Sequence, residues 1–447
     1  MGHSTGVPNP SGGAQGGRVP VQPALGLDLM RDVLASTNVG AAWEQVRRNK
    51  GAPGVDGMSV TDFPDFVRAN WPDIKRALMD GTYRPQPVRQ KAIPKPNGGV
   101  RLLGIPTVLD RVIQQAIAQV LGPIFDPLFS ESSFGFRPGR SAHGAVKQVQ
   151  RNIGEGYRVA VDLDLAKFFD RVDHDVLMAR VGRRVNDRPV LRLIGLYLRA
   201  GVVVDGKLQP TTQGVPQGGP LSPLLSNIVL DDFDKELERR GHRFSRYADD
   251  VLIVVRSLTA GRRVMASVTR WLGKVLELEV NADKSQVVAT NQATFLGFRF
   301  RGTRIWCADK TWTRFKAEVR RLTNRNWGVS MSRRFGELAS YLRGWMGYFG
   351  LSSHYQPTVE LDKWIRRRVR MCYWVQWRWT KTRIRRLLAL RVPRDWAVRT
   401  GMSSKGPWHM SRNQTINAAL SKAFLTQQGL LSIRELWIQA APLRRTA

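Results

Sequence analysis

The pattern of apolar and polar positions divides the chain into four stretches. Residues 1–26, opening MGHSTGVPNPSGGAQGGRVP, show no apolar periodicity and are rich in Gly, Pro and Ser, which predicts a disordered tail. From Leu27 the text turns helical, with Leu34, Ala41 and Val46 at roughly helical spacing, up to the turn Gly51-Ala52-Pro53-Gly54. A mixed stretch then runs to about Arg301. Strands are predicted at Arg158–Asp164, Val251–Val255 and Thr294–Phe300, and helices at Asp110–Leu121, Asp175–Val185 and Pro223–Arg240, the last stopped by Gly241. Past Gly302 the period is purely helical, in segments beginning near Thr313, Ser332 and Pro357. Phe315, Val319 and Leu322 form one apolar stripe, and Leu338, Leu342, Trp345 and Phe349 another. An α+β body followed by a small helical bundle is the fold class this order implies. From about Lys381 the tail is very basic, and beyond Arg383 its only acids are Asp395 and Glu435.

Length and hydrophobic content change little in this picture: 447 residues with 42% hydrophobic positions make two to four ordinary globular domains. Charge changes more. Seventy Lys and Arg against 36 Asp and Glu leave +34, a self-repulsion that a polyanionic partner relieves. Nucleic acid fits, because each neutralised phosphate releases condensed counterions. Many of the 14 Trp lie inside basic stretches, a mixture suited to stacking on bases as well as pairing with phosphates. The two distant cysteines, Cys307 and Cys372, give neither a disulfide framework nor a Cys-based zinc site. No signal-peptide core and no apolar run of membrane-spanning length occur, so a cytoplasmic protein without a membrane partner is expected.

The candidate chemistry rests on carboxylates. In the strand Arg158–Asp164, alternation puts Ala160, Asp162 and Asp164 on one face. Phe244–Val255 reads as a hairpin with Asp249 and Asp250 at its tip. An Asp-Asp pair at a turn is ordinarily only solvated, but beside a strand-end Asp in a basic protein it points to bound cations, since clustered carboxylates otherwise tend to protonate. Two Mg²⁺ ions are the usual solution. Gln213-Gly-Val-Pro-Gln-Gly-Gly-Pro-Leu-Ser-Pro223 precedes an apolar helix; its glycines allow a close backbone approach to a ligand, and Gln217 offers an amide. Lys95-Pro-Asn-Gly-Gly-Val-Arg101 is a tight turn between two cations, which alone reads equally well as a solvated hairpin tip.

Tyr247-Ala-Asp-Asp250 and Asp164-Leu-Ala-Lys-Phe-Phe-Asp170 resemble the catalytic box and first carboxylate motif of reverse transcriptases. The resemblance implies Asp164, Asp249 and Asp250 as catalytic metal ligands, with the Leu165 carbonyl a further one and Asp162 a rival on the same face. Two Mg²⁺ are implied, with Mn²⁺ able to substitute. It also implies a nucleotide site of Lys95, Arg101, Phe169, Asp170, Gln217 and Lys284, in which Phe169 is the steric gate against ribonucleotides, although core packing would account for Phe169 as well. Phe295, Leu296 and Gly297 resemble the strand supporting the primer terminus.

Several segments resemble group II intron proteins in particular, from about Leu27 onward. These are Val46–Gly57 (an N-terminal block), Ser133-Phe-Gly-Phe-Arg-Pro-Gly-Arg-Ser-Ala-His143, Leu338–Phe349 of the helical thumb or maturase domain, and Lys405-Gly-Pro-Trp-His-Met-Ser411 of a DNA-binding tail. The implied architecture is a right-hand polymerase: fingers and palm over 27–303, a helical thumb over 304–382, and a small basic DNA-binding domain over 383–447. Arg137, Arg140, Arg343, Trp345, Arg366, Arg367 and Lys405 are the implied RNA and DNA contacts. Intron RNA, target DNA with its primer, and dNTPs are the implied partners, and the resemblance also allows a homodimer. No His-Asn-His cluster with paired cysteines is present, which points to the endonuclease-lacking, class C-like kind. The competing expectation is a domesticated polymerase without an intron, serving repair, phage defence or a CRISPR locus.

Overall fold

The computed structural model describes residues 28–94 and 99–444. These form two compact units, one built from the chain up to Pro127 together with Asp173–Ile228, the other from Leu128–Val172 together with Val229 onward.

In the first unit the expected helix from Leu27 is two helices, Leu29–Val33 and Ser36–Arg48. Ala35 is extended between them, and the amide of Asn38 takes up the Val33 carbonyl at the break (3.0 Å). The buried positions are Ala42 and Val46, so Ala41 faces outward and the helical spacing is shifted by one. The predicted helix at Asp110–Leu121 is longer, Val108–Phe125, because Thr107 caps it: its hydroxyl accepts the Asp110 N–H at 3.1 Å. Asp110 itself is buried, and it accepts from the Thr107 hydroxyl (2.7 Å), Tyr83 (2.7 Å), Tyr197 (3.2 Å) and the Gln86 amide (3.2 Å). Four donors satisfy a carboxylate that burial would otherwise make costly. The unit's sheet runs in the order 100–105, 88–94, 202–204, 207–209.

In the second unit four antiparallel strands lie in the order Arg243–Tyr247, Asp250–Val255, Val159–Asp164, Gln286–Ala289. One face packs against the helix Ala142–Gly154 through Val146, Val149, Ala160, Leu252 and Val254. On the other face lies the helix Leu258–Trp271, which crosses so closely that a Cβ on Gly261 would stand 2.5 Å from Val287. The predicted strand Thr294–Phe300 is instead a hairpin. Leu296 and Gly297 both adopt positive φ (51° and 81°), and Phe295 pairs with Phe298 across them. Two left-handed residues in succession make the tight turn that joins antiparallel strands, and a glycine is suited to the second.

The helical region follows the predicted spacing, with helices Asp309–Leu322, Met331–Phe349 and Gln356–Gln376. Phe315, Val319, Leu338, Leu342 and Trp374 form their core, and Leu387, Ile416, Leu425 and Ile433 of the basic tail belong to the same buried cluster. No helix of the described residues is long and apolar enough to cross a membrane.

Candidate active site

The strand Val159–Asp164 buries Val159, Val161 and Leu163, which leaves the half-buried Asp162 and Asp164 on the alternate face. Its antiparallel register with the neighbouring strand sets Asp164 directly opposite Asp250. Tyr247 pairs with Asp250 across the adjoining hairpin, so Ala248 and Asp249 are the turn itself, with Ala248 in the left-handed region (φ 58°). Burial, then the charges of Asp162, Asp249 and Asp164, push the Asp250 carboxyl up to about 7. Asp162 is raised too, chiefly by burial, although the Gln286 amide (3.2 Å) offsets part of it. Carboxylates that crowd one another in this way are suited to a cation. Among the described residues no group of three or more His, Cys, Asp and Glu side chains forms a ready-made metal site. Small divalent ions commonly use one or two carboxylates and complete their shell with water and substrate phosphates, and the carboxylates present fit that mode.

The turn is held from behind. Arg246, 0% exposed, donates from Nε and Nη2 to the fully buried Asp234 (2.8, 3.0 and 2.5 Å), to the Ser133 hydroxyl (2.8 Å) and, through Nη1, to the Ala248 carbonyl (3.0 Å). The backbone of Arg246 bonds to Ser132 and Phe134, which lay the start of the Ser133–His143 motif along the hairpin. Gly135 is required there: a Cβ would stand 2.3 Å from the Ala248 nitrogen. His143 Nε2 meets the Tyr348 carbonyl at 2.6 Å, and the Tyr348 hydroxyl donates to Leu296 O at 3.1 Å. Sequence reasoning missed Arg246 and Asp234, since one Arg among 70 cations carries no mark; its place next to Tyr247 was the available signal.

Around Asp164, Lys284 Nζ approaches Oδ1 at 3.5 Å, and Ser285 Oγ accepts the Asp164 N–H at 3.0 Å. The buried Leu165 forms an isolated bridge with Val280. Phe168 fills the core, while Phe169 stands half-buried and edge-on to it at 5.2 Å, with Asp170 exposed beside it. Phe295, Leu296 and Gly297 form the hairpin turn already described, not a straight strand.

Arg101 and Gln217 belong to the first unit. Arg101 is exposed on the strand Val100–Ile105, and Lys95 lies outside the described residues. The Gln217 carbonyl accepts from the Gly104 N–H at 2.8 Å. A Cβ on Gly218 would meet the Gly104 oxygen at 2.6 Å, and one on Gly219 the Gln114 side-chain oxygen at 2.3 Å, so both glycines let this loop pack closely against its neighbours.

Two of the expected nucleic-acid contacts are turned inward. Arg137, 8% exposed, donates to the Ser130 and Ser133 carbonyls at 2.6 and 2.9 Å and braces the loop that runs along the Tyr247–Asp250 hairpin. Trp345, 9% exposed, is core, packed on Phe315, Trp312 and Phe349. Arg140 pairs with Glu131. Arg343 and Lys405 are exposed, Arg366 is half-buried, and Arg367 lies 3.6 Å over the Trp408 ring. The tryptophans divide in the same way: Trp374 and Trp377 are buried, whereas Trp379, Trp396 and Trp408 reach solvent.

Residues 93–300 match the reverse transcriptase (RNA-dependent DNA polymerase) family, and residues 312–389 match the maturase-specific domain of group II introns. Protein YkfC of Escherichia coli (strain K12) is 34% identical over 292 residues, covering 56% of this chain and 77% of that protein. The group II intron-encoded protein LtrA of Lactococcus lactis subsp. cremoris is 39% identical over 219 residues, 49% of this chain but only 36% of that longer protein. A partial Cas6-RT-Cas1–Cas2 complex aligns at 23% identity over 56% of this chain and 43% of that chain, with a TM-score of 0.36, too loose a likeness to argue from. Polymerase domains of the matched family use divalent metal ions, in keeping with the crowded carboxylates. The chain belongs to the reverse transcriptases of group II intron type, RNA-directed DNA polymerases followed by a maturase domain.

Proposed function

We propose that this chain copies group II intron RNA into DNA from a primer 3′-end during retrohoming, and binds the same RNA to assist its splicing. The observation that carries the polymerase reading is the cross-strand register of Asp164 with Asp250, with Asp249 in the adjoining turn. Asp164, Asp249, Asp250 and the Leu165 carbonyl would hold the metal, Mg²⁺ with Mn²⁺ able to replace it. Bound there, such an ion would lower the pKa of the primer hydroxyl and stabilise the leaving pyrophosphate. Lys284, 3.5 Å from Asp164, brings a cation to the same place, where it can meet a phosphate. Phe169, with Phe168 filling the core beside it, is free to meet the sugar and exclude a 2′-hydroxyl. Asp170 adds a further nucleotide contact, and the Phe295-Leu296-Gly297 turn supports the primer end.

Intron RNA and target DNA are met by exposed or half-exposed cations of the helical unit, among them Arg343, Arg366, Arg367 and Lys405, in a cytoplasmic setting. Purifying the protein from its native host and sequencing the RNA that accompanies it tests this directly. One abundant structured species excised from flanking exons is the expected result. Heterogeneous RNA or none, from a protein still active in primer extension, would instead support a polymerase domesticated away from its intron.

A further inference from the structure

The helices Asp309–Leu322 and Gln356–Gln376 face each other across a cleft of about 690 Å³ lined by none of the residues assigned to polymerisation. Each helix contributes a stripe. Trp312, Lys316 and Arg320 recur at four-residue spacing on the first, and Glu360 and Trp364 do so on the second, so each set lies on one face. The Arg320 guanidinium lies 5.7 Å over the Trp364 ring and bridges the two stripes, while Arg368 approaches the same ring at 5.4 Å. His354, which also lines the cleft, is stacked on Trp306 at 3.8 Å and 14°. Of the two acids at the rim, Asp309 is engaged by Arg299 at 2.8 Å. Among the described residues neither Lys316, Arg320 nor Glu360 forms an ion pair.

We propose that this cleft takes one unpaired, extruded nucleotide of a structured RNA, with its base beside Trp312 and Trp364 and its flanking phosphates on Lys316 and Arg320. The chemistry is that of a stacking platform with adjacent cations, a combination that accepts any base by its π-face. Glu360 adds an acceptor for amino groups on the base edge. A volume of 690 Å³ lies within the range of small-ligand pockets and is ample for one nucleotide. A peptide occupant fits less well, since two unpaired cations against one unpaired carboxylate favour an anion. The inference rests on the reading of this helical unit as RNA-binding and adds to it where one nucleotide is held.

The test uses the full chain and an RNA hairpin carrying a single bulged 2-aminopurine, compared with the same hairpin fully paired. The wild-type protein is expected to bind the bulged RNA about tenfold more tightly, a factor typical of one stacked base, and to quench the 2-aminopurine fluorescence. Trp364→Ala and, separately, the surface change Lys316→Glu should erase both effects while leaving primer extension on a simple primer–template intact. Equal affinity for the two hairpins in the wild type would overturn the proposal, as would a preference that survives both substitutions. A bulged DNA hairpin bound and quenched equally well would overturn the assignment to RNA. Failure of the wild type to bind either RNA hairpin, or to extend a primer, would count against the underlying polymerase and maturase reading, a result distinct from loss of the bulge preference alone.

Discussion

Phe169 and Phe168 are adjacent in sequence and differ in fate: one fills the core and the other stands half-buried beside Asp170. Phe169→Ala is therefore expected to cost little stability and to raise rNTP incorporation, read as the ratio of dNTP to rNTP kcat/KM in single-nucleotide extension. Unchanged discrimination would remove the gate role. Arg246 is the opposite case, a surface-type residue wholly buried. Arg246→Ala strands the Asp234 carboxylate in the interior and should lower stability by roughly 3–5 kcal/mol in denaturant melts. Arg246→Lys keeps the charge but cannot reproduce the fork that reaches both Asp234 and the Ala248 carbonyl. It should fold, and lower kcat by roughly 10–100-fold with little change in KM for the primer. Asp231 supplies a pH test. One of its carboxylate oxygens is buried without a hydrogen bond, and burial pushes its pKa up to about 6. A carboxyl raised above its unfolded value of 3.8 favours folding when protonated, so its stability contribution is present below about pH 4 and is lost as pH rises toward 6. Asp231→Asn should thus be more stable than wild type at pH 7, by on the order of 1–2 kcal/mol, with the gap closing near pH 4. A gap of constant size across that range would show that some other effect is at work.

At the scale of elements, the hydrophobic pattern read well wherever one period ran unbroken. The strand Val159–Asp164, the hairpin strand Asp250–Val255 and the three helices after Gly302 begin within a few residues of their expected positions, because burial on one face is what both the pattern and the fold record. The carboxylate cluster was legible for the same reason: alternation determines which side of a strand Asp164 faces. Position within a mixed stripe was not legible. Trp345 lies at core spacing in a basic segment and could have faced either way, and Arg137 looks like any surface cation until its carbonyl partners are seen. The break at Leu296-Gly297 was hidden because apolar residues flank it on both sides, and only paired positive φ values reveal a turn. That turn carries its own prediction. Gly297 sits at φ 81° and a Cβ there would lie 3.1 Å from the Phe349 ring. Gly297→Ala should therefore destabilise by about 1–2 kcal/mol and lower Tm by several degrees in a thermal melt, whereas an equal Tm would mean the turn relaxes freely.

For the whole molecule, the decisive quantity is charge. A protein at +34 binds RNA in large part by counterion release, so its affinity should depend steeply on salt. If about six to ten phosphates are engaged, affinity should fall by roughly 10³–10⁵ between 50 and 200 mM salt. On the proposed reading the polymerase chemistry depends on a few carboxylates instead, and the two can be separated by one substitution. Asp249→Ala removes one of the chain's 36 acids, at the turn between Tyr247 and Asp250, and leaves the cations of the helical region in place. Primer extension should vanish, while the plot of log affinity against log salt stays parallel to that of the wild type. Parallel lines would mean that the surface holding RNA and the carboxylates joining nucleotides are energetically independent, so that such a chain can lose polymerisation and keep its hold on RNA. A slope shallower by one contact or more would show that RNA reaches the carboxylates themselves, and that the maturase and polymerase activities share a footprint.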